Sequence, residues 1–576
     1  MRLSNYLSLA GLEAHVKLVS RIAIVLSFFS SGEARAQAPF DSTVQAVLTP
    51  MMSSVRRVID SRTVPGIRWS RISDVGSDLT RTYENIGWNS IWVSRGRPTQ
   101  AALGTIRYLR SLDRVGLSPT DFDIAVLDSI AQHASSDTLD ESRQARFEVT
   151  LSVATARALS SLRWGRVHQS EAYPTLRRSR AEFDVALGVY ATARTPEPSP
   201  VFETAEPPYG GYRELVAALQ ATRRMARDSV LVAGEDAALS PGMAYADAAA
   251  LRRVVRALGV LSDSAPPVVA VDTIYDEGLA AAVSRFQREN RRKANGVLDA
   301  GTRTAMRRLF ERRARDAELA LERWRWLPRK ADGRAIIVNV PEYKLLAYEH
   351  VRSDARPSFT MKVVVGKGEE KRYTPMFVDA MEHIIFSPYW EVPQTIAVDE
   401  IVPKATEDPK YMARNRYVLV KGYSDSAPRV PVDSSTLAGV GRSIRVRQLP
   451  GDYNSLGRIK FMLPNHLNIY LHDTNEKHLF QSSQRAFSHG CVRVSEPNRL
   501  AEWALRSDTS WTIDRMKSAM KAKEPEKVEL AEHIPVMIVY HTAAVDDNGV
   551  LRAYRDVYEL NDDLSERLGK GYPYAR

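Results

Sequence analysis

The sequence predicts an α+β protein of several domains: a long helical region, a small three-helix unit and a sheet-rich carboxy-terminal domain. Three observations carry this. Apolar residues recur at mixed three- and four-residue spacing up to about residue 230, as in Arg146–Leu162. Leu251, Val254, Val255 and Leu258 then mark one face of a helix. Beyond residue 333 the period shortens to two, in runs separated by Pro, Gly and charged turns. A length of 576 residues suits three to five domains.

At the amino terminus, Lys17 and Arg21 precede the apolar run Ile22–Phe29, and Ala34-Arg-Ala36 and Ala36-Gln-Ala38 both offer small-x-small cleavage sites. This is the layout of a secretory signal over residues 1–36. The run is shorter than the ~20 residues needed to span a bilayer, and an uncleaved anchor is the alternative. The mature chain is thus expected to be soluble outside the cytoplasmic membrane. Residues 39–234 read as a helical scaffold, broken by loops at Thr195–Pro200 and Pro207-Pro208, with no catalytic constellation.

The second unit, 235–312, holds the helix through Leu251, a second with Leu279, Val283, Phe286 and Asn290 on one side, a turn at Asn295-Gly296, and a short third helix from Gly301 to about Leu309. A basic, Trp-bearing connector, 313–332, leads to strand runs Arg334–Val340, Lys344–Tyr348 and Met361–Val365. The polar stretch 394–452 reads either as an insertion or lid over a site or as a long surface excursion. Leu500, Trp503 and Ala504 suggest a helix opened by Ser495 and Pro497, Val536–Tyr540 a late strand, and 561–576 a tail.

Hydrophobic residues at 44% and charged residues at 26% allow a buried core and argue against disorder. The 80 Lys+Arg against 69 Asp+Glu leave a charge of +11, which favours an anionic partner. Nucleic acid is not indicated: there is no lysine-rich tail, zinc-ligand spacing or RNA-binding signature. The single cysteine, Cys491, excludes an internal disulfide and a multi-cysteine metal cluster.

Chemistry concentrates between His466 and Val494. In His466–Thr474, Leu467, Ile469 and Leu471 alternate with Asn468, Tyr470 and His472, which places His472 near the end of a strand on the face opposite the core. Nineteen residues after His472 comes Cys491, within Phe487-Ser-His-Gly-Cys-Val-Arg-Val494. Gly490 permits unusual dihedrals and close backbone approach, suiting N–H groups that converge on an oxyanion. A thiol needs a neighbouring base to act as a nucleophile, and His472 and His489 are both candidates. Taken singly, Cys491 reads as a buried hydrophobe and either histidine as structural. His472, Asp473, His489 and Cys491 also have the types of zinc ligands, but their spacing matches no zinc pattern. Together they favour a cysteine nucleophile.

Two family resemblances organise these readings. Ala282–Asn290 followed by Gly296–Thr304 is similar to the small three-helix peptidoglycan-binding domain. His472 with Ser488-His-Gly-Cys-Val-Arg493 resembles the L,D-transpeptidase catalytic domain, and the likeness extends upstream through Ile337–Pro341, Val365-Gly-Lys367, Thr374-Pro375 and Ser387–Pro393. It covers roughly 333–560. The helical scaffold and the 394–452 stretch match the large Gram-negative periplasmic branch, where the insertion caps the catalytic cleft.

The resemblance implies a β-sandwich-like catalytic domain in which Cys491 is the nucleophile and His472 the general base. Asp473 would orient the imidazole through its main-chain carbonyl, and the Gly490 and Cys491 N–H groups would receive the oxyanion. Arg493 would shape the site or pair with a substrate carboxylate. Ser488 and His489 are motif positions that shape the site, and Trp390 and Tyr389 line the cleft. The implied reaction attacks diaminopimelate at position three of a peptidoglycan stem, expels D-alanine and passes the acyl group to a second stem as a 3→3 cross-link. It needs no cofactor or metal, and carbapenems would acylate Cys491. The alternatives are an L,D-carboxypeptidase, attachment of a protein or D-amino acid by the same acyl-enzyme, and a non-enzymatic wall-binding scaffold.

Overall fold

The computed structural model describes residues 48–167, 183–232, 238–261, 273–329, 332–352, 354, 356–369, 372–422, 424 and 426–570. The signal and cleavage sites expected in residues 1–36 lie outside them. No helix among the described residues is long and apolar enough to cross a membrane.

The described residues between 50 and 226 form helices joined by loops, with a two-residue ladder pairing Val93–Ser94 with Arg97–Pro98 and an isolated bridge between Thr63 and Arg71. They pack around α1 (Glu141–Trp164), whose amino end is capped by Asp140 accepting from the Arg143 N–H at 2.8 Å. Its mixed apolar spacing has a structural cause: α1 is buried on nearly every side, so no single stripe is needed. Even Glu148 is buried, its carboxylate accepting from the Ile91 N–H (2.7 Å), Ser90 Oγ (2.8 Å) and Tyr83 Oη (3.0 Å). The scaffold ends in α2 (Gly210–Ala226).

The next unit contains α3 (Ala248–Leu258), α4 (Glu277–Glu289) and α5 (Ala300–Trp324). Asp276 and Asp299 cap the last two by accepting from the Leu279 and Thr302 N–H groups at 2.8 and 2.6 Å. Gln287, buried, ties α4 to the following turn. Its Nε2 donates to the Val297 carbonyl at 2.9 Å, and its Oε1 accepts from the Gly296 N–H at 3.0 Å. Gly296 sits at φ +69°, where an added Cβ would come 3.0 Å from the Ala280 carbonyl oxygen.

The third helix is not short, and 313–332 is not simply a connector. No Gly or Pro interrupts the sequence between Gly301 and Pro328, and Ala314, Ala317, Ala320, Leu321 and Trp324 are buried, so α5 runs on to Trp324. Its last turns join the units. Glu322 accepts from the Arg166 and Val167 N–H groups at 2.5 and 3.0 Å and pairs with Arg325 at 3.1 Å, while Trp324 stacks on His541 at 4.6 Å.

The sheet domain contains β1 (Ala335–Asn339), β2 (Lys344–Tyr348), β3 (Phe359–Gly366), β4 (Phe377–Phe386), β5 (Trp390–Glu391), β6 (Tyr417–Lys421), β7 (Arg429–Val430), β8 (Ile444–Gln448), β9 (Ile459–Met462), β10 (Leu471–His472), β11 (Ala486–Ser488), β12 (Val492–Val494) and β13 (Glu526–Val539). Nine of these form one sheet in the order β11-β3-β12-β10-β9-β4-β13-β1-β2, and β3 also pairs with β2, so the sheet closes on itself around an apolar core. This rolled, layered sheet is the sandwich-like domain expected.

The inserted stretch is a folded subdomain that starts at Trp390. Its sheet has the order β5-β8-β6-β7, and Val392, Ile401, Met412, Leu419 and Val446 bury a separate small core. Two local expectations need correction. The helix Pro497–Leu505 begins at its proline with Glu496 rather than Ser495 at the N-cap position and no side-chain cap, and the Ser495 N–H donates to the Lys362 carbonyl at 3.0 Å. Residues 561–570 are not a tail. They continue the helix Leu560–Lys570, where Leu564 is buried and Asn561 Oδ1 accepts from Arg323 at 2.8 Å.

Candidate active site

The site is set by the register of three short strands. β10 and β12 are parallel neighbours, with Leu471 opposite Val492 and His472 opposite Arg493, and β9 places Lys460 opposite His472. Paired residues face the same way and successive ones alternate. Lys460, His472 and Arg493 therefore share one sheet face, and Leu471, Val492 and Val494 enter the core. Tyr470 and Cys491 lie one residue before this ladder and continue it, tied by the Val492 N–H donating to the Tyr470 carbonyl at 3.1 Å. The strand expected over 466–474 is much shorter, because Asn468 adopts φ +55° and the chain turns before β10.

His472 is buried, and its Nδ1 meets the main-chain oxygen of Asp473. A neutral ring donating from Nδ1 presents an unprotonated Nε2. Burial, followed by the positive field of Arg493, pushes the imidazole down to about 3. The Asp473 carboxylate works elsewhere: it accepts from the Arg458 and Thr474 N–H groups at 2.8 and 2.7 Å and pairs with Lys477.

Cys491 is half-buried, and its thiol donates to the Asn468 carbonyl at 3.6 Å. Burial raises the thiol above its ordinary range, against the Tyr470 N–H, Lys460, the Tyr470 hydroxyl and Arg493, which favour thiolate. Tyr470 is itself kept protonated by burial and by the adjacent sulfur. Lys460 Nζ stands 3.9 Å over the Tyr470 ring. Burial thus favours the neutral form of both the thiol and the imidazole.

The Gly490 turn is held by three hydrogen bonds. Ser488 Oγ donates to the Cys491 carbonyl at 2.6 Å and accepts from the Gly490 N–H at 3.2 Å, and Thr374 Oγ1 donates to the Gly490 carbonyl at 2.7 Å. Gly490 adopts φ +120°, with Ile469 and the Tyr373 carbonyl oxygen each 3.2 Å from where a Cβ would stand. Its N–H, expected as an oxyanion donor, is therefore engaged by Ser488.

The remaining sequence candidates divide. Arg493 pairs with Glu476 at 2.5 Å, and its buried Nε has no hydrogen-bond partner among the described residues. His489 turns from the sulfur to the inserted subdomain, its Nε2 lying 2.8 Å from Glu400 Oε1. Trp390 reaches the Tyr470 hydroxyl. Tyr389 instead bonds Glu524 and lies under Arg447 at 4.7 Å. The four types considered for zinc do not converge, and no group of three His, Cys, Asp or Glu among the described residues is placed to hold a metal. Sequence reasoning missed Tyr470, Lys460 and Glu400. Tyr470 was legible, since it shares the alternation face of His472; Lys460 and Glu400 arrive only through tertiary pairing.

Comparison with known proteins agrees with this architecture. Residues 333–517 match the family described as "L,D-transpeptidase catalytic domain", residues 77–219 one described as "Scaffold domain", and residues 246–306 one described as "Putative peptidoglycan binding domain". A curated Haemophilus influenzae protein named "Putative L,D-transpeptidase" is 30% identical over 241 residues, 40% of this chain. The match spans 47% of that relative, so the chain covers about half its length. A solved L,D-transpeptidase from Xylanimonas cellulosilytica is 15% identical, covering 53% of this chain and 99% of that one, with a TM-score of 0.15, too low to carry an argument. The expected resemblance is borne out: a scaffold, a peptidoglycan-binding domain and an L,D-transpeptidase catalytic domain are matched in that order.

Proposed function

We propose that this chain is a periplasmic peptidoglycan L,D-transpeptidase that forms 3→3 cross-links through a thioester on Cys491. The observation that supports this most is the shared sheet face, where Tyr470 and Cys491 stand beside a buried His472 whose Nδ1 is held by the Asp473 carbonyl.

The Cys491 sulfur attacks the carbonyl of the third stem residue as its proton passes to His472 Nε2. The oxyanion is received by the Cys491 N–H and the Tyr470 O–H, since the Gly490 N–H serves Ser488. Collapse breaks the bond to the D-alanine nitrogen, which takes the proton from the imidazolium, and leaves the thioester. The side-chain amine of a second stem then attacks, His472 removes its proton, and the sulfur departs carrying that proton. Because burial favours the neutral pair, activation accompanies attack. Tyr470→Phe is expected to cost 10²–10³ in acylation rate, the effect of one lost oxyanion donor.

Intact mass after incubation with a carbapenem tests the nucleophile. One adduct on Cys491, absent in Cys491→Ala, is expected; an adduct elsewhere or none refutes the assignment. Wall function retained by Cys491→Ala would indicate a binding scaffold. Mass spectrometry of stem products separates 3→3 dimers from the trimmed stems of a carboxypeptidase and from attached protein or D-amino acid. Cell fractionation tests export.

A further inference from the structure

The three-helix unit carries a groove of about 490 Å³ on the face of α5, outside the catalytic site. Gly301 and Ala305, one turn apart, leave its floor shallow; Thr304, Arg308 and Arg312, also at four-residue spacing, form a parallel row; Arg292 from the turn after α4 closes one end. No carboxylate lines it. The three guanidinium groups are exposed, and none makes an ion pair among the described residues. Of the nearby acids, Asp299 caps α5 and feels Arg292, Asp316 accepts from Asn561 Nδ2 at 3.4 Å and feels Arg312, and Glu311 pairs with Arg307 at 3.9 Å.

Three like charges around one concavity, none bridged by a carboxylate within 4 Å among the described residues, repel one another, and an anionic ligand relieves that repulsion. Guanidinium forks match carboxylates in pairs, and Thr304 adds a hydroxyl for an amide. We propose that this groove is a binding site for an acidic peptide, namely the carboxylate-bearing stem of peptidoglycan, and that the unit reads the stem rather than the sugar chain. This rests on the reading of the protein as a peptidoglycan enzyme. The groove is fixed to the catalytic domain, because α5 continues twelve residues from Arg312 to Trp324, roughly 18 Å, where Trp324 stacks on His541.

Calorimetry on the full chain tests this with two probes, a soluble disaccharide–tetrapeptide and peptide-free glycan oligomers. The tetrapeptide probe is expected to bind, more weakly at higher salt, and the glycan to bind at least tenfold less tightly. Arg292→Gln/Arg308→Gln/Arg312→Gln should lose tenfold or more for the tetrapeptide, and the triple Lys variant, which keeps the charge, should retain most of it. Carbapenem acylation of Cys491 should be unchanged in both, which also shows that they fold. Equal affinity for bare glycan, no binding by the unaltered chain, or unchanged affinity of the Gln variant while it still acylates each overturns the proposal. Arginine-dependent binding in a chain that never acylates would keep this site and remove the enzymatic reading.

Discussion

His489 Nε2 on the motif loop lies 2.8 Å from Oε1 of Glu400 in the inserted subdomain, and Arg372 approaches the same carboxylate at 3.7 Å. The residue two places before Cys491 is thereby tied to the inserted subdomain. Glu400 sits in the π-helical turn Ala397–Ile401, a geometry frequent at functional sites. All three side chains are about one-third exposed, so the link is worth no more than about 1 kcal/mol.

Glu400→Gln should therefore leave the melting temperature nearly unchanged while speeding hydrogen exchange across 394–407. Untouched exchange there would show that the inserted subdomain is held by other contacts.

The raised thiol predicts the pH dependence of alkylation. With the Cys491 pKa above its ordinary value, the thiolate fraction keeps rising across pH 7 to 9 without levelling off, and iodoacetamide labelling should follow. A fast plateau between pH 6 and 8 would reveal a resting ion pair instead.

Acid stability follows from two buried histidines. Burial pushes His472 and His541 each down to about 3, whereas the unfolded chain titrates near 6.5. Between those values the unfolded state binds protons that the folded state refuses, so stability is full above about pH 6.5 and falls as pH drops toward 3. His541 stacks on Trp324 with no hydrogen-bond partner at Nε2 among the described residues, so His541→Phe should flatten the acid decline of the urea midpoint. An identical decline in the variant would place the sensitivity on other groups.

Thr374→Val removes the hydroxyl that accepts from the Gly366 N–H at 2.8 Å and donates to the Gly490 carbonyl at 2.7 Å. Stranding these buried groups should cost about 1–3 kcal/mol. Acylation should fall further than stability alone accounts for, because the Gly490 turn positions the sulfur. Comparing acylation rates well below the melting temperature checks this.

Much of the fold was legible because it rests on local rules. The Phe286-Gln287 and Gly296-Val297 pairs marked the three-helix unit, since one buried glutamine must satisfy the turn beside it. Helix length was less legible: α5 reads as basic and polar, and its continuation to Trp324 depends on partners distant in sequence, such as Asn561 for Arg323.

At the site, residue order alone determined the nucleophile candidate, the glycine before it and the face shared by Tyr470 and His472, because alternation and φ freedom are properties of the local backbone. Which histidine is buried against the nucleophile's strand, which N–H is already taken, and whether sulfur and imidazole rest charged were decided only by tertiary structure. Burial and long-range pairing set those outcomes, and both arise only when β9, β10 and β12 come together.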